Sequence, residues 1–181
     1  MKSLTLTFIL AVSLLLPAIV TAQQGSIDKL FEKYAGKEGF TSVNISSDMF
    51  KLAAGMTAQN DQDKAQEIND IVNQLTGMKI LVCNPGSTKV SKSDFIQEVE
   101  KTIPMKQFSE LMTVQEKDSK VRFLTKPGSN NKISEMIMIA QNKDEIVVMS
   151  FTGDLDLEGI GKLSRNMNLK GMENLDKLPE K

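Results

Sequence analysis

Between residues 111 and 152 the chain reads as four short runs of alternating apolar and polar residues, and no other stretch limits the fold as tightly. The runs cover residues 111–116, 120–125, 132–140 and 145–152. They are separated by Lys117-Asp118-Ser119, by Pro127-Gly128-Ser129-Asn130-Asn131 and by Gln141-Asn142-Lys143-Asp144. Alternation with period two places one apolar face on each run, the pattern of a strand lying on a core. Breaks this short leave no room for a crossover, so successive strands must be antiparallel neighbours. The segment is therefore expected to form a four-strand meander.

Upstream the pattern is mixed. Ser26 is placed to cap a helix carrying Ile27, Leu30, Phe31 and Tyr34, with Gly36 or Gly39 ending it. Residues 40–46 alternate as a strand with Val43 and Ile45 on one face. Ser47 or Asp48 would cap a short helix containing Phe50, Leu52 and Ala53, followed by a polar loop over 57–63. Residues 63–75 carry Ala65, Ile68, Ile71, Val72 and Leu75 at helical spacing; Gly77 would stop that helix, and 79–84 is apolar enough for a central strand. Asn84-Pro85-Gly86-Ser87 reads as a turn. Ser93 and Asp94 open a helix with Phe95, Ile96 and Val99 inward, stopped by Pro104. After Gly153-Asp154 a last helix would turn Leu157, Ile160, Leu163 and Met167 inward, and the polar tail 168–181 would fray. This order is neither a βαβ alternation nor an all-β pattern. It predicts an α+β single domain over 23–167, with a largely antiparallel sheet of about six strands and helices mainly on one face.

The N-terminus sets the compartment. Lys2 precedes an apolar run over 4–20, closed by Val20-Thr21-Ala22, which together make a signal peptide cleaved after Ala22. No second apolar segment follows to act as a transmembrane anchor, and no cysteine follows Ala22 to accept a lipid anchor. The expected product is a periplasmic or secreted chain beginning at Gln23. Losing residues 1–22 of 181 removes only Lys2 among the charges and leaves 21 basic against 23 acidic residues. Nucleic acid and anionic lipid both favour strongly basic surfaces, and this balance argues against nucleic-acid binding.

The residue types present narrow the chemistry further. The chain has no histidine and one cysteine, Cys83. That removes the usual general base, the serine triad and most transition-metal sites. Cys83 has no partner for an intramolecular disulfide and, within the apolar run 78–84, reads as a small buried hydrophobe. No phosphate-binding glycine loop is present, and no cofactor is expected. The only local carboxylate cluster is Asp154, Asp156 and Glu158 in Gly153-Asp154-Leu155-Asp156-Leu157-Glu158-Gly159. Asp154 or Asp156 as the cap of the last helix accounts for it, since acids suit a helix N-terminus. The competing account is a hard-cation site or a carboxylate pair for acid–base work. A loop with two acids at 57–64 and a glycosylation-like Asn44-Ile45-Ser46 inside a strand add little. Met105, Met112, Met136, Met138 and Met149 read as core filler, because thioether metal sites usually add histidine or cluster methionines closely. No catalytic residue is assigned.

Several segments together resemble domain-of-unknown-function family 4252. They are Phe31-Glu32-Lys33-Tyr34, residues 40–46 with Met49-Phe50, Ser109-Glu110-Leu111-Met112, and residues 147–157 with Ile160. The resemblance spans residues 26–167 and rests on order and spacing. It implies small exported proteins of Gram-negative bacteria, some of them lipoproteins, a pattern this chain departs from by lacking the lipid-accepting cysteine. It implies no particular activity; a link to alternative sigma factors and stress regulation comes with the family alone. The leading expectation is a non-enzymatic binding or protein-interaction domain whose partner is an envelope protein or a small ligand. The alternatives are a component of an envelope signalling system, and a carboxylate-based hydrolase or cation-binding protein centred on Asp154, Asp156 and Glu158.

Overall fold

The computed structural model describes residues 25–58 and 69–156. Its elements in chain order are α1 (Asp28–Tyr34), β1 (Phe40–Ser46), α2 (Ser47–Ala58), β2 (Leu75–Cys83), α3 (Lys92–Thr102), β3 (Ser109–Gln115), β4 (Lys120–Pro127), β5 (Ile133–Gln141) and β6 (Ile146–Leu155). Short 3-10 turns lie at Pro85–Ser87 and Met105–Gln107, and residues 69–72 are helical. The strands form one six-stranded sheet in the order β1-β2-β6-β5-β4-β3, antiparallel throughout. The architecture is α+β, and the C-terminal meander β3–β6 is the one expected from the alternating runs.

Each meander turn has a local cause. The β4–β5 turn closes through the Lys132 amide donating to the Ser129 carbonyl at 2.9 Å. Asn130 and Asn131 between them both adopt positive φ, which asparagine tolerates better than most residues and which twisted hairpins favour. In the β5–β6 turn the Asn142 side chain accepts from the Asp144 and Glu145 amides at 2.8 and 2.9 Å.

The sheet separates two cores. Facing α1 and α3 are Leu81, Cys83, Leu124, Ile137, Ile139, Ile146 and Val148, packed with Ile27, Leu30, Tyr34, Phe95, Val99 and Ile103. On the opposite face Met78, Phe123, Met136, Met138, Met149 and Phe151 pack with Phe50 and Ala54 of α2 and with Ile71 and Val72. Of the described helices, α1 and α3 thus share one face, and α2, with the helical residues 69–72, covers part of the other. Burying both faces explains why β5 shows a nearly unbroken buried run from Glu135 to Ile139 in place of simple alternation.

Several local expectations are corrected. Ile27, not Ser26, precedes α1, and no side chain caps that helix, because Ser26 is bonded elsewhere. Gly77 does not stop a helix: β2 starts at Leu75, and Gly77 sits at a register shift within it, opposite Thr152. Helix α2 runs through Ala58, past the expected start of the polar loop at 57, and residues 59–68 lie outside the described residues. Helix α3 starts at Lys92, capped by Ser91, whose hydroxyl accepts from the Asp94 amide at 3.1 Å. The strand β6 extends through Gly153 and Asp154 to Leu155. The signal peptide, the last helix and the tail lie outside the described residues.

Candidate functional site

The acidic segment sits where the end of β6 meets the start of β2. Asp154 lies within β6 and is exposed, and its amide donates to the Gln74 carbonyl at 2.8 Å. Asp156 follows the strand. Its carboxylate accepts from Gln74 Nε2 at 3.0 Å, and its amide donates to Gln74 Oε1 at 3.0 Å. Lys132 Nζ stands 3.5 Å from the same carboxylate. One glutamine side chain thereby brackets the strand end in both directions. The approach is close: a Cβ on Gly153 would meet the Gln74 carbonyl oxygen at 1.9 Å, so only glycine fits there. Glu158, the third acid, and the helix that Asp154 or Asp156 would cap lie outside the described residues. Among the described residues no group of three Cys, Asp or Glu side chains is arranged to hold a metal ion.

Among the described residues the most buried carboxylate is one the sequence does not advertise. Glu135 on β5 is 3% exposed. It accepts from the Ser26 amide at 2.9 Å, from the Ser26 hydroxyl at 2.7 Å and from the Ser150 hydroxyl at 2.7 Å. Beside it Asp28 accepts from the Gly25 amide at 3.1 Å and pairs with Lys79 of β2. Each acceptor meets a donor, which burial of a charge requires. The group ties residues 25–28 to the middle of the sheet and has the character of an anchor. A single acid within the apolar run at 133–139 was the only sequence sign of it.

A second polar group joins α1 to α3. Glu98 accepts from the Tyr34 hydroxyl at 2.7 Å and from Lys33, and these two hydrogen bonds, Lys33 first, hold its carboxyl below the usual range. Burial, reinforced by the bond to Glu98, pushes the Tyr34 phenol up. The Tyr34 ring stacks on Phe40 at 4.5 Å and meets Phe95 edge-on at 5.3 Å. Cys83 is fully buried in the same core, and burial pushes its thiol up, away from the reactive thiolate. Met136, Met138 and Met149 lie in the opposite core, with Met138 directly across from Met149. These groupings hold the molecule together.

The sheet's edges differ from one another in how they meet solvent. The outermost strands are β1 and β3. Strand β1 reads Phe-Thr-Ser-Val-Asn-Ile-Ser, without a charge, a proline or a register shift against β2. Strand β3 carries Glu110 and a register shift between Glu110 and Met112. The large apolar side chains left exposed among the described residues are Val43 of β1 at 39%, and Met49 and Leu52 of α2 at 56% and 60%. Asn44 of the glycosylation-like triplet is exposed on the same strand.

No curated protein and no solved structure matches this chain. A family model does, the one described as Domain of unknown function (DUF4252), over residues 34–163, a span that takes in all six strands of the sheet. The match covers well over half of the chain, and the chain belongs to the DUF4252 family.

Proposed function

We propose that this protein is a non-enzymatic interaction domain of the bacterial envelope, and that β1 with the outer surface of α2 receives an extended segment of a partner protein. The observation that carries this reading is the character of β1. Native sheets blunt their edges with charges, prolines, bulges or covering elements, because an open edge templates further pairing. β3 has a charge and a bulge; β1 has neither, and no described strand pairs on its outer side. Strand addition needs a row of unpaired backbone groups and nearby apolar contacts for side chains of the incoming segment. Val43, Met49 and Leu52 supply the second requirement beside the first.

The envelope location rests on the leader, Met1 to Ala22, and on the exported character that the family resemblance implies. In the regulatory alternative the partner would be a membrane regulator offering such a segment. The bracketing of Asp156 by Gln74 and Lys132 supports a structural use of the acidic segment over a cation-binding or hydrolytic one.

Affinity capture of the mature chain from envelope extracts tests the reading when run beside Val43→Lys, which puts a charge on the open edge. A partner recovered by the native chain, lost with Val43→Lys and accompanied by hydrogen-exchange protection of β1 amides is the expected result. A partner retained equally by both overturns the assignment to this edge. Mass spectrometry of the exported protein should find Gln23 as its first residue; residues 1–22 still attached would overturn the location.

A further inference from the structure

The end of the sheet remote from Asp154 and Asp156 holds a cleft of about 330 Å³. Register builds its floor: Lys120 of β4 lies opposite Gln115 of β3 on one side and Gln141 of β5 on the other. All three fall on the face that α3 covers, because the same row continues to the buried Ile146. The start of α3 overhangs it, with Lys92 Nζ donating to the Asn142 carbonyl at 2.7 Å. Lys117 and Lys143 come from the β3–β4 and β5–β6 turns. Both turns are knotted internally. Gln115 Nε2 donates to the Glu116 and Ser119 carbonyls at 3.0 and 3.2 Å, and Asn142 accepts the two amides described above. The backbones that present these lysines are therefore fixed in place.

The charge is lopsided. Four lysines line the cleft against one acid, Asp118, in a chain whose net charge is −1. Glu116, in the same turn, does not line it and accepts from the Ser119 hydroxyl at 3.0 Å. The next residue along the floor strand on that face, Arg122, is neutralised by Glu110 and Glu100 at 3.0 and 3.3 Å. Lys117, Lys120 and Lys143, by contrast, form no salt bridge among the described residues. Lys120 lies within electrostatic reach of Glu110, yet four like charges converging on a concavity against the single acid of its lining repel one another and raise the local potential, which an anion relieves.

We infer that this cleft is a binding site for a polyvalent phosphate-bearing anion, held by Lys92, Lys117, Lys120 and Lys143. A carboxylate would neutralise one of the three surplus charges, whereas a diphosphate or a clustered phosphate group neutralises most of them. Lysines bind phosphate as point charges, without the planar geometry an arginine fork demands, which suits four flexible arms around an open cleft. The site is separate from the β1 edge, at the opposite side of the sheet order, and does not depend on the strand-addition reading.

The test is titration of the mature chain with inorganic pyrophosphate at constant ionic strength, followed by calorimetry and by amide chemical shifts. Saturable binding is expected, with shifts confined to residues 92, 115–120 and 141–143. Combining Lys117→Gln, Lys120→Gln and Lys143→Gln should weaken it at least tenfold, while Lys101→Gln at the far end of α3 should leave it unchanged. Lys120→Gln alone should weaken it about threefold, and is read if the triple variant melts early. A parallel arm measures co-sedimentation with vesicles of phosphatidylcholine alone and with added phosphatidylglycerol. Retention only by the second assigns the phosphate to a lipid headgroup, and pyrophosphate binding without retention assigns it to a soluble anion. Absence of saturable binding in both arms, or affinity unchanged by the lysine substitutions, overturns the inference.

Discussion

The two faces of the sheet are buried by different means. Toward α1 and α3 the filling is Ile, Val, Leu and a three-ring aromatic group, and the helices are tied down by polar anchors: Glu135 to Ser26 and Ser150, Asp28 to Lys79, Glu98 to Tyr34 and Lys33. Toward α2 the filling is four methionines and three phenylalanines with Ile71, Val72, Leu75 and Leu155 at its margin, and among the described residues no buried carboxylate fixes the covering helix. Both faces hold aromatic rings, but the sheet strands offer β-branched Ile and Val to the first, which have few rotamers, and mainly unbranched methionines to the second, which adapt to irregular gaps. The first face specifies where its helices sit; the second accommodates what lies on it.

The sharpest way to break that comparison is a matched pair on one strand. Ile137 and Met138 are adjacent and both fully buried, but they point into opposite cores. Truncation to alanine should cost about 2–5 kcal/mol at either site, set by how far the surroundings collapse into the space left. Ile137→Ala is expected near the top of that range and Met138→Ala near the bottom, read from denaturant midpoints. Equal losses would mean that both cores are equally rigid.

The anchors come next. Glu135→Ala strands the donors of Ser26 and Ser150, and one stranded buried donor costs about 1–3 kcal/mol. Glu135→Gln keeps an acceptor oxygen and should recover part of the loss. A Glu135→Ala chain as stable as the native one, with the amides of residues 25–28 still protected from exchange, would remove the anchor from the account. At the other end of the same face Ser91→Ala should cost about 0.5–2 kcal/mol through loss of the α3 cap, while Ser91→Asp should be tolerated. Thermal melts of the three chains decide that point.

The smallest expected effect is on the acid side. The folded-state value of Glu98 lies below its unfolded one, so its contribution to stability is complete above the ordinary glutamate range and is lost as the pH falls through the lowered value. The Lys33–Glu98 pair is partly exposed and solvent screens it, so a melting-temperature difference between the native chain and Glu98→Gln should be small at neutral pH and should vanish in acid. A difference that grows on acidification would contradict the sign.

The meander was legible because its information is local. Alternation and turn residues at 117–119, 127–131 and 141–144 fixed four strands and their antiparallel pairing, and the buried setting of Cys83 followed from its apolar neighbours. Gly77 misled because glycine ends helices but also permits close strand contacts, and here it lies opposite Thr152; beyond Gly153, which nearly touches Gln74, the chain stays in β6 as far as Leu155 where a helix start was expected. Ser26 misled similarly, since a hydroxyl at a helix start was claimed by a carboxylate 109 residues away.

By itself, then, the sequence determined the α+β class, the meander and the family resemblance, because periodicity, turn chemistry and spacing act between residues a few positions apart. Only the tertiary structure decided that β2 inserts beside β6, leaving β1 as an open edge, and that Glu135 meets Ser26 and Ser150. It also decided that lysines from one helix, one strand and two turns converge on one cleft. Those outcomes depend on which apolar faces and which buried donors satisfy one another across long stretches of chain, and no local pattern encodes such a choice.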